Sequence, residues 1–135
     1  MKNKENKNDW FVELLHEDYK LMVSFSSLIY QGKTNYQNVK ILQNESLGKV
    51  LILDDVIQLT EADEAHYHEM MVHVPLFSAS TINNVLIIGG ADGGILREVL
   101  KHSVNSVTLV DIDGEVVDIC KKYLPSVSKN SFNDA

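Results

Sequence analysis

Apolar and polar positions change their spacing along the chain, and each spacing predicts a different kind of element. From Trp10 to Thr60 the pattern is that of strands. Leu21–Tyr30 is rich in aliphatic, aromatic and serine residues, and QGKTN at 31–35 supplies a turn. In VKIL, Val39 and Ile41 share one face while Lys40 points the other way, the alternation expected of a strand. NESLG at 44–48 is a second turn, VLIL at 50–53 an apolar run, and Asp54-Asp55 turns the chain into VIQL. These features predict a small antiparallel β-hairpin domain over 10–60.

Thr60 is expected to open a helix. Thr60 and Asp63 form a capping-box variant, and Glu61, Asp63 and Glu64 suit the positive end of a helix dipole. Tyr67, Met70, Met71 and Val74 fall at i, i+3, i+4 and i+7, which predicts a buried stripe on a linking helix over 61–80. Pro75 should kink or end that helix. After SASTINN, VLII at 85–88 is a continuous apolar run, the pattern of a strand covered on both faces. It leads into GGADGG at 89–94, then into a helix striped by Ile95, Leu96, Val99 and Leu100. VTLV at 107–110 reads as a second buried strand ending in Asp111, and Val116, Val117, Cys120 and Leu124 stripe a helix closed by Pro125. The predicted fold is α/β: the N-terminal β domain, then over 81–135 the opening βαβα part of a Rossmann-like domain.

Composition narrows the function classes. Hydrophobic residues make up 44% and charged residues 23% of the 135, a globular profile. No apolar run approaches the roughly 18 residues of a membrane span. The polar opening MKNKENKND lacks an apolar signal core, so residues 1–9 are expected to be a flexible N-terminus. One cysteine, Cys120, leaves no internal disulfide and fits a reducing compartment, with the cytoplasm as the default. A formal charge of −7 argues against nucleic acid, whose phosphates are held by Lys and Arg, and suits a cationic small molecule better.

The glycine-rich turn between a strand and a helix lets a ligand approach the backbone at the carboxyl edge of the sheet. Asp111 lies 22 positions after Gly89, near the spacing at which an acidic residue accepts hydrogen bonds from a ribose. A nucleoside-containing ligand follows. The dinucleotide pattern fails, because Ala91 stands at the second glycine position. Asp92 inside the turn would repel a pyrophosphate and attract a sulfonium or an amine, provided that it points inward. HEMMVH is not a zinc-protease motif: His68 and His73 are five apart, about 140° around a helix. Cys120, on a helix stripe, reads as packing.

Two long stretches carry a resemblance. VLIIGGADGGILREVLKH resembles the signature of spermidine synthases, which usually have glycine where this chain has Ala91. LDDVIQLTEADEAHYHEMMVHVPL at 53–76 is similar to that family's other signature, and LVDID and CKKYLP fit as well. The match runs in order from about Trp10 to Pro125. The resemblance implies transfer of the aminopropyl group of decarboxylated S-adenosylmethionine to putrescine, giving spermidine and methylthioadenosine. The donor is a co-substrate, and no separate cofactor is implied.

By position, Gln37 resembles the family glutamine that contacts the donor. His68 and Asp92 resemble residues lining the polyamine and aminopropyl part of the pocket. Asp111 matches the acidic residue on the ribose hydroxyls, usually Glu, and Tyr67 and Gln58 sit where the pocket is often bordered. Taken alone, Gln37 is an ordinary strand-edge residue, Tyr67 a core residue and His68 a structural histidine. The family's catalytic base is an aspartate beyond Ala135, so the chain is expected to be truncated and inactive or impaired by itself. The resemblance also implies a homodimer or homotetramer when complete. A methyltransferase, or a non-catalytic oligomerisation module, is the alternative.

Overall fold

The computed structural model describes residues 9–133. The flexible stretch expected over 1–9 therefore lies, apart from Asp9, outside the described residues. The chain divides into two compact units: residues up to Lys33 together with Gln37–Ala62, and Thr34–Tyr36 together with the chain from Asp63 onward.

The first unit is built from β1 (Asp9–His16), β2 (Tyr19–Phe25), β3 (Ser27–Lys33), β4 (Asn38–Asn44), β5 (Gly48–Leu53) and β6 (Val56–Thr60). β1 and β2 form an antiparallel hairpin, and β3-β4-β5-β6 an antiparallel meander. Local chemistry makes the turns. Asp54 and Asp55 both take positive φ, 46° and 63°, as a two-residue hairpin loop requires. Asp54 Oδ1 then accepts the Asn38 backbone N–H at 2.8 Å, closing the turn onto β4. Asn44 Oδ1 accepts the N–H groups of Ser46 and Leu47, so the NESLG turn is organised by its own first side chain. Phe11, Leu42, Val50 and Ile52 form the core of this unit, with Phe25, Leu47 and Ile57 against it.

Thr60 is paired with Val50 as the last residue of β6, so it does not open the helix. The ladder partner outweighs a cap that would have to leave the sheet. The helix is α1 (Glu64–Ser78), with Asp63 at its N-cap making no side-chain capping bond. Pro75 lies inside it, and the helix continues one turn to Ser78. The expected stripe is corrected too. Tyr67, Met70, Met71 and Val74 are all more than half exposed, while Glu64, His68 and Val72 are buried. The buried face is the one carrying charge, because its charged groups find partners in this unit.

After α1 come β7 (Asn84–Ile88), α2 (Gly94–Val99), β8 (Ser106–Val110), α3 (Gly114–Tyr123) and α4 (Pro125–Ser128). A 3-10 turn follows at Ser131–Asn133. β7 and β8 run parallel, with Ile88 opposite Val110. α1 and α2 cover one face of this pair through Val72, Ile87, Leu96 and Val99. The other face is bare: Leu86, Ile88, Val110 and Ile112 are exposed, Ile88 by 84%. The expectation of strands covered on both faces holds for one face only among the described residues.

Candidate functional site

The turn after β7 supplies the site's backbone. Gly89 donates its N–H to Val110 O at 2.8 Å, which ties the carboxyl ends of the two parallel strands together. Gly93 has φ +78°, and a Cβ there would lie 2.6 Å from the Phe132 ring, so both conformation and space demand glycine. Gly94 begins α2. A Cβ on it would sit within the His68 ring, 2.7 Å from Nε2 and closer still to Cε1 and Nδ1. The imidazole packs directly on the first residue of the helix.

That contact brings His68 and Asp92 together. His68 Nε2 is 3.2 Å from Asp92 Oδ1, which also accepts the Gly94 N–H at 2.7 Å. His68 Nδ1 is 2.5 Å from Glu64 Oε2 one turn earlier on α1. Arg97 on α2 then grips Glu64 through both guanidinium ends, Nη1 to Oε1 and Nη2 to Oε2, each at 2.9 Å. Its Nε donates to Glu98 Oε1 at 2.7 Å, and Nη1 also reaches the Val127 carbonyl. Glu98, 1% exposed, is paired on its other oxygen with Lys101 at 2.5 Å and His73 at 3.0 Å. Charges of alternating sign thus run from the surface through the second unit to the glycine turn.

The geometry sets the protonation states. Burial works against charge on His68, but the carboxylates on both ring nitrogens outweigh it and raise its pKa above the ordinary value. Burial would raise the carboxyls of Asp92 and Glu64. For Asp92, His68 and the Gly94 N–H reverse the sign; for Glu64, Arg97 and His68 do. Both stay below the usual carboxylate range. Burial, with the charges of Asp92 and Asp111 nearby, pushes the Cys120 thiol up to about 12. Cys120 is therefore an inert packing group.

Asp111 follows β8, half-buried, and its Oδ1 accepts the Asp113 N–H at 2.9 Å. Asp113, fully buried, caps α3 by accepting the Val116 N–H at 3.3 Å and receives the Thr34 hydroxyl at 2.6 Å. Gln37 lies in the first unit, half-buried immediately before β4. Gln58 is exposed on β6, where its Nε2 donates to Val56 O. Tyr67 is 60% exposed and sets its ring edge-on to His68, centroids 5.4 Å apart, rather than joining the core. So the structure brings His68 and Asp92 into contact and places Asp111 at the adjoining strand end.

Sequence reasoning missed Glu64, Arg97, Glu98 and Asp113. Glu64 and His68 stand at i and i+4, the spacing of a helical ion pair, and Asp113 is a good N-cap residue three before Val116. Nothing local marks Arg97 and Glu98 as buried.

Comparison with known proteins places this geometry. The profile of the spermine/spermidine synthase domain matches residues 64–135, and that of the spermidine synthase tetramerisation domain matches 9–61. A polyamine aminopropyltransferase of a Ruegeria species is 50% identical over 130 residues, covering 96% of this chain and 46% of the relative. Polyamine aminopropyltransferase 1 of Pseudomonas aeruginosa is 47% identical over 125 residues, 92% of this chain and 44% of the relative. Among solved structures, spermidine synthase from Thermotoga maritima superimposes with a TM-score of 0.89 at 40% identity, covering 97% of this chain and 48% of that one. A spermidine synthase in complex with the transition state analogue AdoDATO gives 0.90, also at 40% identity, covering 97% and 47%. The chain thus spans just under half the length of these relatives.

Proposed function

Because this chain belongs to the spermine/spermidine synthase family, we propose that it forms part of a polyamine aminopropyltransferase acting on decarboxylated S-adenosylmethionine and putrescine. The observation that carries the reading is a carboxylate, Asp92, clamped in the glycine turn by His68 and the Gly94 N–H. It is only 16% exposed and stays ionised, so it favours a positive ligand and disfavours a pyrophosphate. On this reading the nucleoside lies along the turn with its ribose hydroxyls on Asp111.

In this reaction the putrescine nitrogen attacks the propyl carbon attached to sulfur. The C–N bond forms as the C–S bond breaks, and the sulfonium leaves as the neutral thioether methylthioadenosine. The sulfonium is already a good leaving group, so alignment of the amine with that carbon supplies most of the acceleration. An amine of pKa about 10.4 is neutral in only about one molecule in a few thousand at pH 7. A base must take its proton. The chain's own groups bind and orient.

The test is discrimination between donors. Calorimetric titration should show decarboxylated S-adenosylmethionine bound in preference to the intact molecule, whose extra carboxylate meets Asp92. Equal affinity, or preference for the intact donor, would overturn the reading in favour of a methyltransferase. We also propose that residues 9–61, which match the tetramerisation domain, assemble copies of the protein into a homotetramer. Trp10, Leu14 and Met22 on the β1–β2 hairpin are more than half exposed and offer apolar contact. A monomer by sedimentation at micromolar concentration would refute this. No helix among the described residues is long and apolar enough to cross a membrane. We assign the protein to the cytoplasm.

A further inference from the structure

Four side chains in the second unit are linked end to end: Arg97, Glu64, His68 and Asp92. The order matters chemically. A neutral imidazole has one N–H and one bare nitrogen. Here both ring nitrogens face carboxylate oxygens, at 2.5 Å and 3.2 Å, and only a ring with two N–H groups can donate to both. Glu64 is in turn held on both oxygens by one guanidinium, whose planar fork permits a single orientation of the carboxylate. Arg97 is itself anchored by Glu98 and the Val127 carbonyl. Gly94, lacking a Cβ, leaves the ring room against the first residue of α2.

We propose that Glu64 is a positioning residue for the cation subsite of the glycine turn: with Arg97 fixing it, it holds His68 as a doubly donating imidazolium that in turn fixes the Asp92 carboxylate. The inference rests on the polyamine reading above for its ligand, but the relay itself stands on the hydrogen-bond geometry. Glu64 touches no ligand in this scheme and acts through His68. The charged groups facing His68 are Glu64 from α1, Asp92 from the turn and, beyond Glu64, Arg97 from α2. Tyr67 lies edge-on beside it, and Cys120 on α3, near Asp92, is neutral. Two carboxylates around one imidazole raise its pKa, and removing either should lower it.

The experiment is a pH titration of the His68 ring by nitrogen-15 NMR, in the wild type and in Glu64→Gln and Glu64→Asp. In the wild type, both ring nitrogens should be protonated in most molecules at pH 6.5, the ordinary histidine midpoint. Glu64→Gln should move the midpoint down, and Glu64→Asp, which keeps the charge, should restore most of the shift. Spermidine is then titrated into each protein while the amide signals of Gly90, Gly93 and Gly94 are followed. Loss of one charge-assisted hydrogen bond in the relay should weaken spermidine roughly ten- to hundredfold in Glu64→Gln. A wild-type His68 that is a neutral tautomer at pH 6.5 overturns the relay, and this measurement needs no variant to fold. So does a Glu64→Gln variant with unchanged titration and unchanged spermidine affinity. If the His68 titration behaves as expected while spermidine leaves the wild-type glycine signals unmoved, the relay stands and the polyamine reading falls.

Discussion

Replacing Gly94 by alanine tests the packing on which the site depends. The new methyl would occupy the space of the His68 ring, so the ring must retreat by about the difference between that overlap and an ordinary contact of ~3.5–4 Å. Retreat stretches the bond to Glu64, now 2.5 Å, and the one to Asp92, now 3.2 Å, beyond hydrogen-bonding range. Each is charge-assisted and worth roughly 1.5–3 kcal/mol. Alanine offsets at most about 1 kcal/mol through helix propensity, because Gly94 is the first residue of α2 and not an interior one. The net expectation is a loss of about 2–5 kcal/mol. The single tryptophan, Trp10, belongs to the first unit and would report on the wrong part of the molecule. Helices α1 to α4 are all in the second unit, so urea unfolding followed by helical circular dichroism is the appropriate assay. The decisive comparison is a double-mutant cycle with His68→Ala. Once the ring is gone the methyl has room, and Gly94→Ala should cost almost nothing further. Additive losses in the double variant, or a single Gly94→Ala variant within about 0.5 kcal/mol of wild type, would refute the reasoning.

Other expectations follow from the same network. His68 is raised in the folded state, so its stabilisation is present in full below 6.5 and is lost as pH rises through its higher folded midpoint. Glu64 and Asp92 are lowered, so theirs is present above 4.5 and 3.8 and is lost as pH falls through their lower folded midpoints. Urea midpoints should therefore be highest between about pH 4.5 and 6.5, and an alkaline fall that survives in His68→Gln would contradict the assignment. Asp92→Asn removes a charged partner from a buried imidazolium and should cost about 1.5–3 kcal/mol of stability; on the proposed function it should also weaken spermidine binding, and unchanged affinity would remove Asp92 from the site. Asp113→Ala should cost about 1–2 kcal/mol by uncapping α3 and leaving the Thr34 hydroxyl without this acceptor, measured as a lowered melting temperature. Cys120, fully buried with its thiol held up at about 12, should resist alkylation in the native protein at pH 8 and react only on unfolding.

What the sequence determined by itself is what short-range chemistry decides. The Asp54-Asp55 and NESLG turns, the alternation of Val39, Lys40 and Ile41, and the glycine turn between apolar run and helix depend on neighbours a few residues away. All were legible, as was the family, because GGADGG and YHEMMVHVP lie in unbroken stretches. The placement of Asp92 in the turn was readable; that it faces a histidine was not.

Tertiary structure alone decided which face of α1 is buried. Apolar spacing pointed to Tyr67, Met70, Met71 and Val74, on the rule that charge faces water. The rule fails here because Glu64 and His68 meet Arg97 and Asp92, residues roughly 25 to 35 positions away, and a charge that finds its opposite in the interior no longer has to be solvated. Thr60 went to the sheet for a comparable reason: Val50 offered a ladder partner that no local cap could match. Partners distant in the chain set these outcomes, and a pattern read along the chain carries no record of them.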